Sequence, residues 1–63
     1  MPRDDYGHEI NDGDTIRFVV GIPGRSVVAK VRRDARGRLV ADDGTASMAL
    51  SFVLDFFDCE VIN

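Results

Sequence analysis

The stretch that decides the fold is DTIRFVVGIPGRSVVAKVRRDARGRLVA, residues 14–41. Ile16, Phe18, Val20 and Ile22 alternate with Thr15, Arg17, Val19 and Gly21, a period of two rich in β-branched residues that predicts a strand. Pro23-Gly24 predicts a two-residue turn, because Pro presets φ at the first central position and Gly accepts positive φ at the second. Val27, Ala29 and Val31 then alternate with Val28, Lys30 and Arg32 in a second strand. Asp34-Ala35-Arg36-Gly37 reads as a type I turn closed by a glycine bulge, and Leu39-Val40-Ala41 as a third, short strand. A two-residue loop sets Val20 opposite Val27, Phe18 opposite Ala29 and Val19 opposite Val28. The bulge sets Val31 opposite Ala41 and Arg32 opposite Val40. One face then collects Ile16, Phe18, Val20, Val27, Ala29, Val31, Leu39 and Ala41, and a one-residue slip would scatter them.

Downstream, the stretch from Thr45 to Asp58 carries two periods at once. Met48, Leu50, Phe52, Leu54 and Phe56 alternate as a strand would. Ser47, Ser51, Asp55 and Asp58 recur at helical spacing as one polar stripe. Ala46, Met48, Ala49, Leu50 and Leu54 favour a helix, with Thr45 placed to cap it. The expectation is therefore a helix over 46–57 with a wide apolar arc of Ala49, Leu50, Phe52, Val53, Phe56 and Phe57. Adjacent helical residues point about 100° apart, so one of Phe56 and Phe57 is expected in the core and the other at a contact surface. Cys59-Glu60-Val61-Ile62 reads as a final strand closing the sheet. Upstream, residues 1–13 read as a solvated acidic lead-in ending in turn chemistry at Asn11-Asp12-Gly13. The expected fold is mostly β (β+α): an antiparallel three-stranded meander, one helix and a short final strand, in a small barrel-like domain over 14–63.

Sixty-three residues, 44% hydrophobic and 30% charged, make one globular domain at most, near the lower limit for folding alone. No apolar run approaches the about 20 residues of a membrane helix. A single cysteine, Cys59, excludes an internal disulfide framework. The opening Met1-Pro2-Arg3-Asp4-Asp5 lacks the apolar stretch of a signal peptide, and a cytoplasmic location is expected, the host cytoplasm if the chain is phage-encoded.

The net charge of -3 is unevenly placed. Residues 1–14 set Arg3 against Asp4, Asp5, Glu9, Asp12 and Asp14. Residues 25–38 set Arg25, Lys30, Arg32, Arg33, Arg36 and Arg38 against Asp34 alone. Residues 39–63 hold only acids. An acidic chain is repelled from nucleic acid and anionic membranes at long range, so the basic block is expected to meet acids of protein. The hairpin arginines Arg32, Arg33, Arg36 and Arg38 can still clamp phosphates bidentately, which makes nucleic acid the second reading. Its weakness is the lack of exposed aromatics beside them for base stacking. Val19, Val28 and Val40, on the face opposite the core and flanked by Arg17 and Lys30, are more than a solvated face needs and are read as a partner contact.

No chemistry converges elsewhere. His8, Glu9, Asp12 and Asp14 lack the spacing of a calcium loop and the ligand count of a zinc site. Cys59 has no neighbouring His to activate it. The glycines match neither the phosphate-loop nor the dinucleotide pattern. No catalytic residue, metal ligand or cofactor is expected, and the chain is read as no enzyme.

Gly13-Asp14-Thr15-Ile16-Arg17-Phe18 resembles the Gly-Asp-x-hydrophobic-x-hydrophobic entry into the first strand of Src-homology-three-like small barrels. A meander, a helix after the third strand and a brief last strand extend the resemblance over 13–62. It implies a module that binds peptides, proteins or nucleic acid, with no catalytic residue. The Arg- and Asp-rich texture is also similar to that of small actinobacteriophage accessory proteins. The functional expectation is a non-enzymatic interaction protein acting by self-association or on a host protein, through Val19, Val28, Val40, Arg17, Lys30 and Phe56 or Phe57.

Overall fold

The computed structural model describes residues 2–63. The meander is present as β1 (Thr15–Val20), β2 (Arg25–Arg33) and β3 (Leu39–Asp42), all antiparallel. Between β2 and β3 the expected register holds, with Val31 opposite Ala41 and Arg32 opposite Val40. Gly37 supplies the positive φ of the bulge, at +78°. The Asp34 carboxylate fixes that turn by accepting the Arg36 and Arg38 N–H groups, each at 2.9 Å.

The first hairpin differs from expectation. Gly21 already adopts φ +79°, so β1 stops at Val20 and four residues, Gly21 to Gly24, form the loop. Val20 faces Arg25, Phe18 faces Val27 and Ile16 faces Ala29. This is a shift of two residues, an even step that leaves every side chain on its expected face. Ile22, expected in the strand, stands wholly in solvent.

The stretch after β3 uses both of its periods in turn. The Asp43 carboxylate accepts the Thr45 and Ala46 N–H groups, and Gly44 takes φ +94°. That turn sends Ser47–Ala49 back along β3 as β4. Helical spacing takes over at α1, Leu50–Phe56, which Ala49 begins without a side-chain cap. The expected helix over 46–57 is thus shorter by its first turn, and Thr45 caps nothing. β5 (Cys59–Val61) pairs antiparallel with β1.

The chain is therefore mostly β, with one helix, as expected, but the sheet has five strands in the order β4-β3-β2-β1-β5. β4 and β5 lie at opposite edges, so the sheet is open and the expected barrel closure is not formed. α1 lays Leu50 and Val53 on the sheet's inner face, where they meet Ile16, Phe18, Ala29, Val31, Ala41 and Cys59. Ile10 completes this core at 1% exposure. The lead-in is consequently part of the fold: residues expected to be solvated fold back through an Arg3–Glu9 bridge and lie along β5.

Candidate interaction surfaces

The outer sheet face does not present the expected row of valines. Val19 and Val28 are exposed, but Val40 is buried. The two-residue register shift sets Val19 opposite Ser26 and Val28 opposite Arg17, while Val40 lies opposite Arg32. Arg17 forms an ion pair with Glu60 across β1 and β5, and the Arg32 Nε donates to Asp42 at 2.7 Å. Lys30 is exposed and makes no ion pair among the described residues. The face is stitched by cross-strand charge pairs, each worth little in water.

The basic hairpin divides its arginines. Arg32 is committed to Asp42, and Arg33 donates to the Gly37 carbonyl oxygen at 2.6 Å. The side chains of Arg36 and Arg38 make no hydrogen bond or ion pair among the described residues. The hydrogen bond from the Arg38 N–H, helped by that from the Arg36 N–H and by the guanidinium charges of Arg38 and Arg32, holds the Asp34 carboxyl below its usual range against the opposing effect of burial.

The two adjacent rings at the end of α1 point apart, because Phe56 is the last helical residue and Phe57 already has extended backbone, φ -132° and ψ 150°, and not because both follow the helical offset. Phe57 packs against the core, its ring stacked on Phe18 at 5.6 Å between centroids. Phe56 is 68% exposed. One turn earlier, Phe52 is 45% exposed and its ring lies 4.7 Å from that of Phe56. Two aromatic side chains thus form a ridge in water. The sequence arc contained both, but nothing in it told Phe52 from its buried neighbour Val53.

The two sheet edges are finished differently. Along β5, Asp4 is buried and its carboxylate replaces a neighbouring strand: Oδ2 accepts the Val61 N–H at 2.9 Å, and Oδ1 accepts the Tyr6 and His8 N–H groups. The His8 Nδ1 lies 3.2 Å from Oδ2. Burial pushes the Asp4 pKa up, but the hydrogen bonds from Val61, His8 and Tyr6 overcome it and bring it down to about 2. The Asp5 N–H donates to the Cys59 carbonyl at 3.1 Å. Along β4, Ser47, Met48 and Ala49 are all exposed.

Asp14 accepts from the Asn11 N–H and from the Asn63 side chain, which hold its carboxyl low. Cys59 is buried, and that burial, followed by the charges of Asp4, Asp5 and Glu60, pushes its thiol up to about 11. His8, Glu9, Asp12 and Asp14 do not converge as a group that could hold a metal. Beside α1, a groove of about 460 Å³ is lined by Pro2, Leu39, Leu50 and Leu54 together with Arg38 and Asp55. No helix among the described residues is long and apolar enough to cross a membrane.

No family model, curated protein or solved structure matches the chain, so neither the barrel resemblance nor the phage resemblance gains support from relatives.

Proposed function

We propose that the chain is a non-enzymatic protein-interaction domain that works by self-association, or by docking on a host protein, through the Phe52–Phe56 ridge of α1. The carrying observation is that a chain of 63 residues, short of apolar surface to bury, leaves two touching phenylalanine rings in water. Aromatic side chains are enriched at the desolvated centres of protein interfaces. Sedimentation of the parent and of Phe56→Ala tests it. The parent should associate with rising concentration, and the variant should associate more weakly with unchanged circular dichroism. A parent that stays monomeric removes self-association and leaves only the foreign partner.

The second reading, nucleic-acid binding at the 32–38 hairpin, is favoured by the uncommitted side chains of Arg36 and Arg38. It requires binding that weakens steeply with salt as phosphate counterions are released. No retardation of DNA or RNA at low salt rejects it.

A further inference from the structure

β5 is covered by the protein's own lead-in, whereas β4 is left open. The Asp43 N–H donates to the Ala46 carbonyl at 3.1 Å, which makes these two residues the closing hydrogen-bonded pair of a two-residue hairpin. Antiparallel ladders alternate hydrogen-bonded with non-hydrogen-bonded pairs. Met48 therefore directs its N–H and C=O to Ala41, and Ser47 and Ala49 direct theirs away from β3. No other segment among the described residues hydrogen-bonds to the Ser47 or Ala49 N–H. The Ala49 carbonyl is the first acceptor of α1.

We propose that β4 is a homodimerisation edge: two copies pair β4 to β4, antiparallel, about a two-fold axis through Met48, joining two five-stranded sheets into one. The occupant follows from the edge's own symmetry. Reversing the strand exchanges Ser47 with Ala49, so the outward donors and acceptors complement themselves. The Ala49 N–H of each copy donates to the Ser47 carbonyl of the second copy, and the Ser47 N–H to the second lone pair of the Ala49 carbonyl, on both sides of the axis, as a closed isologous contact requires. Met48, 37% exposed, then meets its own counterpart at a non-hydrogen-bonded pair, where strands bring side chains closest. β4 also lacks the charges and prolines that commonly guard exposed edges. Where Ala49 leads into α1, the adjoining groove is lined by one charge of each sign, Arg38 and Asp55, so the surface beside β4 offers a second copy a balanced charge. This rests on the edge geometry and stands apart from the Phe52–Phe56 ridge.

Cysteine cross-linking fixes both the edge and the register. Under mild oxidation, Met48→Cys should yield a disulfide-linked dimer, because facing Cα atoms in such a pair lie about 4.5 Å apart, within disulfide reach. Ser47→Cys should give about tenfold less, since the two copies of residue 47 are diagonal at about 7–8 Å. Buried Cys59 is common to both variants. Ser47→Pro removes only an outward N–H, which an edge strand tolerates, and should weaken association at least about tenfold. Equal cross-linking of the two cysteine variants, or association unchanged in a folded Ser47→Pro, overturns the edge. So does a parent that stays monomeric up to about 1 mM. If Ser47→Pro breaks association while Phe56→Ala does not, the edge stands and the ridge falls; the reverse result rejects the edge and keeps the ridge.

Discussion

Asp4→Asn is the most informative single substitution in this protein. The Asp4 carboxylate is shut off from solvent and takes the Val61, Tyr6 and His8 N–H groups together with the His8 imidazole. Asn has the same shape but one acceptor oxygen. Its amide nitrogen must face either Val61 or the pair of Tyr6 and His8, a donor against donors. Leaving a buried donor unpaired costs about 1–3 kcal/mol. The same hydrogen bonds bring the pKa to about 2 in the fold against the ordinary 3.8, which corresponds to roughly 2 kcal/mol. Because the folded value lies below the unfolded one, this stability is fully present above about pH 4 and is lost as pH falls towards 2. A domain of this size has only about 3–9 kcal/mol in all, so Asp4→Asn should lower Tm by roughly 10–20 °C at neutral pH. Urea titrations of parent and variant, followed by circular dichroism from pH 7 to pH 2, measure the difference directly. It should be flat above about pH 4 and shrink below it. A difference near zero at pH 7, or one independent of pH, would refute the role given to Asp4.

Phe57→Ala should cost about 3–5 kcal/mol, because its ring stacks on Phe18 against the core, whereas Phe56→Ala should change stability by less than about 1 kcal/mol; paired denaturation curves decide. Gly37→Ala should destabilise by about 1–2 kcal/mol through its positive φ alone, since an added Cβ there meets no atom within 4 Å; a thermal melt checks it. Cys59, buried with its thiol pushed up to about 11, should stay unreactive towards a thiol reagent at pH 8 until denaturant is added. Rapid labelling of the folded protein would mean that β5 opens readily.

The meander was legible because strand alternation and turn glycines agree locally, and a register error of two residues does not change faces. That error came from reading Pro23-Gly24 as the whole loop when Gly21, with its positive φ, had already ended the strand. The Val19–Val28 pairing was lost for the same reason, since facing partners depend on register even when faces do not, whereas Val40 kept its partner Arg32 and is buried. β4 and α1 read as one helix because both periods are present, and the switch at Ala49–Leu50 carries no side-chain cap to mark it. Ile10 carried a signal that went unused, as the one aliphatic residue within the polar lead-in. Asp4 carried none: its partner Val61 lies 57 residues away, and only the folded chain brings them together. That Phe56 and Phe57 point apart was expected from helix geometry, but the helix ends between them at Phe56 and the extended backbone of Phe57 turns its ring to the core.

The measurement that bears most directly on an interaction role is a concentration series of amide proton–nitrogen correlation spectra of the unmodified protein. If α1 and the open sheet edge mediate contact with a second copy, the amides of Phe52, Phe56 and Ser47–Ala49 shift progressively between about 10 µM and about 1 mM. Those of the 32–38 hairpin and of the covered β5 edge stay in place. Spectra invariant across the whole range, or shifts confined to the hairpin, would contradict the account.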